Sequence, residues 1–365
     1  MNNIRQELHL IGGIGLIFLL IGCGILGDTE DWIIAGQWLL QAGLLWAWVL
    51  RFIWNKLALN KASSNTPPYP TLGWGNRLTI LRGGLIALTG GFLFLDQESW
   101  LPALFYSLAA ILDRLDGFIA RRSRQVSLLG NELDINFDAL GLLVAPLLAV
   151  NLGKIHVSYL FLSIAYYLYQ WGLQHRRSLN LPINALAPNP LRRTLAGFQM
   201  GFIAVALWPL LNPAVTTVAS IAFMLPVLFG FAVDWWVICG KLSTQRALNL
   251  EGISAQFLQP GLRLLLIGLH LMPTDDAKNA SYWQIAFSGH VFEELFCISL
   301  VLLGFAGRIG ALGLFLLWTW NFYGLHIDLT GKLFIFSTSW LMLLGTGRFS
   351  LWQWDDAWVK RYDGA

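Results

Sequence analysis

The chain has 365 residues, of which 56% are hydrophobic and only 12% charged, with a net charge of +3. A soluble domain usually carries about 25% charged residues, so this chain has too little polar surface to cover a globule of such apolarity. The same figures exclude a disordered chain and a nucleic-acid binder, and they point to the membrane as solvent.

Apolar runs recur along the chain, and a bilayer core takes about 20 helical residues. In order they fall at 11–27, 32–53, 78–95, 100–121, 135–152, 156–172, 196–211, 214–238, 257–272, 285–304, 309–325 and 332–346. Inside lipid the backbone finds no water, and continuous rather than alternating apolarity selects helices over a barrel. The expectation is an all-α integral membrane protein with about twelve transmembrane helices. The first run lacks a small-residue cleavage site and a second span follows at once, so it reads as a helix rather than a signal peptide. The 18 tryptophans fit, since Trp gathers at membrane interfaces. Cys23, Cys239 and Cys297 lie in apolar runs and form no CxxC pair, which argues against zinc and disulfides.

Lys and Arg set the orientation. With a cytoplasmic N-terminus, only Lys154, Lys278 and Lys332 fall on the outer side, and the outer loops are short and often acidic, as at Asp28, Glu30 and Asp31 or Asp275 and Asp276. Both termini are then cytoplasmic. Two polar linkers, 61–76 and 241–256, divide the chain. The expected domains are a two-helix segment at 1–62, a six-helix domain at 63–241 and a four-helix domain at 242–365, a 2+6+4 arrangement.

The informative stretch is LDRLDGFIARRSRQVSLLGNELDINFDALG. It sets Asp113, Asp116, Asp134 and Asp138 in or beside membrane helices, where charges are expensive and need a reason. Asp113, Asp116 and Gly117 share one helix face, and Asp134 and Asp138 stand at i and i+4 on the next helix. Two antiparallel helices would gather four carboxylates at the cytosolic rim. They repel one another unless neutralised, and all-oxygen ligands suit Mg²⁺ or Mn²⁺ rather than zinc. Two such ions clamp a phosphoryl centre. Gly117 and Ala120 leave room for a ligand, and Arg121 is placed for phosphate oxygens. The competing reading pairs the aspartates with Arg114, Arg121, Arg122 and Arg124 at a helix end, which explains one aspartate better than four.

This stretch resembles the signature of the CDP-alcohol phosphotransferases, D-x2-D-G-x2-A-R-x8-G-x3-D-x3-D, read here as Asp113, Asp116, Gly117, Ala120, Arg121, Gly130, Asp134 and Asp138. Upstream, GNRLTILR is similar to the family's first-helix pattern at Asn76, Thr79 and Arg82, with Gly75 where the family usually has proline. The resemblance covers roughly 70–240. It implies a donor such as CDP-diacylglycerol held across two divalent ions, attack by an acceptor hydroxyl, and release of CMP. By the same resemblance Asp113, Asp116, Asp134 and Asp138 are metal ligands, and Asp138 is also the general base. Asp113, Gly117, Ala120, Arg121, Gly130, Asn76 and Thr79 would contact the CDP part. A homodimer is implied as well.

Other polar residues keep two readings. Arg192 and Arg193 either bind a phosphate on the acceptor or anchor to anionic headgroups. Arg82 either snorkels to the interface or reaches the pyrophosphate. Asp234 reads as a local hydrogen-bonding partner, and His270 as interfacial. His290, Glu293 and Glu294 share a face near the outer side, as an intramembrane site or as an interfacial lining. The C-terminal part resembles the DoxX-like four-helix family, at Glu294, Gly304 to Arg308 and Leu343 to Leu351. Two other functions compete: a transporter or channel with a cytosolic-side cation site, and an inactive scaffold for a redox partner.

Overall fold

A computed structural model describes residues 2–95, 99–186, 190–271, 291–321 and 327–352, with positions 354, 355 and 357. Among these the chain is all-α, and no strand occurs beyond an isolated bridge between Phe305 and Trp352. Four helices are long and apolar enough to cross a membrane: Asn3–Thr29, Trp32–Leu59, Leu128–Asn151 and Pro213–Ile238. Thr194–Ala206 and Leu329–Leu344 are shorter apolar helices. Large apolar side chains such as Ile17, Phe18, Ile21 and Ile25 point outward on the first helix, as lipid contact requires. These helices make an integral membrane protein.

The chain divides into two compact units: residues 1–152 with 203–209, and residues 153–202 with 210–365. The first contains α1 (Asn2–Thr29), α2 (Trp32–Lys56), α3 (Trp74–Gly90), α4 (Leu101–Arg122) and α5 (Leu128–Asn151). Asp31 caps α2 by accepting a hydrogen bond from Ile33 N at 2.7 Å. The hairpin of α1 and α2 closes where Trp46 and Trp38 lie over Gly15 and Gly22. Helix α3 packs against α2, α4 and α5 and is the inner helix of this unit. Its start is tied to α1: Glu7 accepts from Arg77 Nε at 2.5 Å and from Leu72 N at 3.0 Å.

Two helices start before the apolar runs expected to span the membrane, and both extensions matter to the site. Helix α3 begins at Trp74 rather than at 78, so Asn76 and Thr79 are helical. Helix α5 begins at Leu128 rather than at 135, because the Ser127 hydroxyl caps it by accepting from Gly130 N at 2.9 Å. An apolar run marks only the lipid-immersed part of a helix; capping and polar partners carried both helices further.

The second unit contains α6 (Leu160–Ser178), most of α7 (Pro190–Ala206), α8 (Pro213–Ile238), α9 (Thr244–Ile253), α10 (Gln259–Leu271), α11 (Val291–Leu303), α12 (Gly307–Asn321) and α13 (Leu329–Leu344). Helix α9 occupies the stretch expected as a polar linker, because Ser243 caps it by accepting from Arg246 N at 3.3 Å. In α8, Pro226 has no N–H to offer the carbonyl of Ala222, and the Trp340 indole of α13 donates to that oxygen at 2.8 Å instead. Gln199 donates to the neighbouring Phe223 carbonyl at 2.6 Å and accepts from the Tyr159 hydroxyl. The expected spans 285–304 and 309–325 extend beyond the described residues at 285–290 and 322–325, and Lys278, Asp275, Asp276 and His290 also lie outside them.

Candidate active site

The site is built in the first unit from α3, α4 and α5. Asp113 and Asp116 stand one turn apart on α4, and Asp134 and Asp138 one turn apart on α5. Between the two aspartates of α5, Phe137 is fully buried and lies over Gly83 of α3, which fixes the rotation of α5. At the other end of the contact, a side chain on Gly75 would come within 2.6 Å of the Ala120 Cβ. The approach of α3 to α4 therefore needs glycine at 75 and a small residue at 120, and a proline ring would not fit there without a shift. Gly75, the departure from the family pattern, is thus a packing requirement of this chain.

Asp113, Asp134 and Asp138 each offer an oxygen, and these oxygens lie within 4.8 Å of one another. Among the described residues this is the group of carboxylate, His or Cys ligands close enough to hold one ion. Asp116 is turned differently. It is buried, accepts from the Thr79 hydroxyl at 2.8 Å through Oδ2, and accepts from Gly117 N at 2.6 Å through Oδ1. Thr79 also donates to the carbonyl of Gly75 at 3.1 Å.

The four carboxylates share one cation, Arg82 of α3, whose side chain is 1% exposed. Its Nη1 pairs with Asp113 and lies 3.7 Å from Asp116 Oδ2. Its Nη2 lies 3.0 Å from Asp134 Oδ1 and 3.3 Å from Asp138 Oδ1. The sequence left Arg82 open between snorkelling and a site role; the structure buries it at the centre of the cluster. Helical spacing alone carries no sign of this, because the four partners come from other helices. Arg114 also acts electrostatically on Asp113. Arg121, Arg122 and Arg124 are exposed.

With all four aspartates ionised, one guanidinium leaves an excess of three negative charges in a partly buried place. Such a surplus is costly unless further cations enter. Asp134 and Asp138 are 50% and 47% exposed, so the cluster opens on the side away from Arg82. Asp138 Oδ1 is nevertheless buried and accepts no hydrogen bond. An all-oxygen set of this kind, with an open face, fits Mg²⁺ or Mn²⁺.

The remaining expected residues fall into two groups. Gly117 has only the Arg121 guanidinium near the space a side chain would fill, at 3.3 Å, so that face is open to a ligand. Asn76 is buried and cross-links the unit: its amide donates to Leu72 O at 2.8 Å, Ser127 Oγ at 3.0 Å and Asn60 Oδ1 at 3.1 Å. Gly130 packs so closely on Asn76 that a Cβ would meet its Oδ1 at 2.6 Å. Asn76 and Gly130 thus hold the turn between α4 and α5 against the start of α3.

Arg192 belongs to the second unit, where its Nε lies 3.2 Å from Asp234 Oδ2. Both line a cavity of about 530 Å³ with Glu251 and Trp340. The expected local role of Asp234 is this pairing; the side chain of Arg193 lies outside the described set. In the same unit Glu294 Oε1 lies 3.5 Å from His270 Nδ1 and 3.4 Å from the Trp318 indole nitrogen. His270 is therefore a neighbour of Glu294.

Residues 74–236, somewhat less than half of the chain, match the family model described as CDP-alcohol phosphatidyltransferase. All eight signature residues and the Asn76, Thr79 and Arg82 triplet fall inside the match. Comparison with curated proteins and with solved structures gave no match. That description is of phosphatidyl transfer with a CDP-alcohol, and residues 74–236 are similar to the family that carries it.

Proposed function

We propose that the protein moves a phosphoalcohol group, phosphatidyl when the donor is CDP-diacylglycerol, from a CDP-alcohol to an acceptor hydroxyl, with release of CMP, in phospholipid synthesis. The observation that carries this is the convergence of Asp113, Asp134 and Asp138 within 4.8 Å inside the matched region. Asp113, Asp116, Asp134 and Asp138 would hold two divalent cations, Mg²⁺ or Mn²⁺. When bound, those ions supply positive charge to the pyrophosphate and to the leaving phosphate.

The chain's own residues do the rest. Asp138, half exposed at the open face, takes the proton of the acceptor hydroxyl. The hydroxyl oxygen then forms a bond to the phosphorus that carries the alcohol. The bond from that phosphorus to the bridging oxygen breaks, and CMP leaves with that oxygen. Thr79 holds Asp116 in its orientation by the 2.8 Å hydrogen bond. Gly117 keeps the space before α4 clear for the nucleotide, and the exposed Arg121 meets its phosphates. The open face is assigned to the cytosolic side, where CDP donors and polar acceptors are found; the excess of Lys and Arg in the inner loops supports this.

The test is CMP release by purified protein with Mg²⁺ or Mn²⁺ and CDP-diacylglycerol, against glycerol phosphate, inositol phosphate, inositol, serine and lipid alcohols. Release should require the metal and one class of acceptor, and Asp116→Asn should abolish it while the protein still inserts. Wild-type turnover in Asp116→Asn would overturn the assignment.

A further inference from the structure

We propose that Arg82 is a resident counter-cation that stabilises the metal-free carboxylate cluster and, through its charge, holds divalent-metal affinity down. This rests on the reading of the cluster as a metal site and assigns Arg82 a positioning role within it.

The geometry separates the two faces of the cluster. Arg82 is 1% exposed and lies beneath the carboxylates, while Asp113, Asp134 and Asp138 are between 32% and 50% exposed above it. Asp113, Asp134 and Asp138 each turn Oδ1 toward the guanidinium. Without a metal, the guanidinium is the shared charge that keeps α4 and α5 from separating, since Coulomb repulsion among buried like charges is large. With a metal, the same guanidinium is a fixed positive charge within a few ångströms of a dication and opposes it.

Arg82 is also held in a way suited to yielding. Its Nε is buried and makes no hydrogen bond, so its fixation comes from the Nη groups. A divalent cation that takes over the carboxylates removes those contacts. With two divalent cations in place the cluster carries a net positive charge, which an anion at the open face matches, and a pyrophosphate has that chemistry. Arg82 thus makes tight metal loading depend on the anionic donor.

The experiment compares wild type, Arg82→Gln and Arg82→Lys, purified in Mn²⁺ so that the missing charge is supplied, then exchanged into chelator. Two quantities are read: thermal denaturation with chelator and with Mn²⁺, and Mn²⁺ affinity by electron paramagnetic resonance. Arg82→Gln should melt several degrees below wild type in chelator, recover in Mn²⁺, and bind Mn²⁺ roughly tenfold tighter or more. Arg82→Lys, which keeps the charge, should stay within about threefold of wild-type affinity. A residue with only a packing role would lower stability in both conditions and would not tighten Mn²⁺ binding. Unchanged or weaker Mn²⁺ binding in Arg82→Gln, or tighter binding in Arg82→Lys equal to that of Gln, overturns the inference while the metal site stands. Failure of the wild type to bind Mn²⁺ overturns the metal site and the inference together.

Discussion

The donors of buried arginines are satisfied in different ways in the two units. In the first, Arg82 is surrounded by four carboxylates, more negative charge than it can balance. In the second, Arg263 and Arg308 are almost as buried but turn to backbone carbonyls. Arg263 donates to Val301 O at 3.0 Å, Thr346 O at 3.3 Å and Arg348 O at 3.2 Å, and also to Leu302 O. Arg308 donates to Met342 O at 2.6 Å and Leu343 O at 2.8 Å. These oxygens end α11 and α13 or follow α13, where helices leave carbonyls without partners. A cation that donates to helix-end carbonyls completes a structure and gathers no negative charge from them. A cation outnumbered by carboxylates leaves negative charge for a ligand, and that surplus separates the candidate site from the other buried polar groups.

The comparison predicts that variants in the two places fail differently. The largest effect is expected for Asp138→Asn, which should lower the rate of CMP release about 10²- to 10⁴-fold, the usual worth of a general base. Its melting temperature in chelator should not fall, because one repelling charge has gone. A large loss of stability in this variant would place Asp138 with the structural groups. Next is Arg263→Met, which strips donors from four carbonyls and should cost about 3 kcal/mol of stability. CMP release per folded molecule should be unchanged, as measured by activity below the melting transition. The smallest is Trp340→Phe, which frees the Ala222 carbonyl and should cost about 1–3 kcal/mol. Adding Pro226→Ala returns an N–H to α8 and should recover most of that loss in thermal denaturation; an additive double variant would show that the indole bond carries little.

Much of the site was legible in the chain. The positions of the four aspartates and of Gly117, Ala120, Arg121 and Gly130 are a matter of spacing on two successive helices, and spacing is local. Their convergence within one small volume follows from joining those helices by a tight turn. The role of Arg82 was not legible, since its partners, from Asp113 to Asp138, are distant in the chain, on helices whose packing against α3 depends on Gly75, Gly83 and Phe137. Asn76 also looked different in sequence. Its three hydrogen bonds tie it to the start of α3, the α4–α5 turn and Asn60, contacts that only close packing creates.

The sequence by itself determined the solvent, the helical class and the carboxylate spacing, because composition and local periodicity are properties of neighbouring residues. Its apolar runs did not mark where α3 and α5 start, since apolarity marks lipid contact whereas hydrogen bonding at Ser127 and around Asn76 accompanies the helices beyond it. Only the tertiary structure decided which cation sits among the aspartates. Burial of a charge is settled by groups that meet across helices, and in this protein a buried guanidinium lies among four carboxylates that outnumber it.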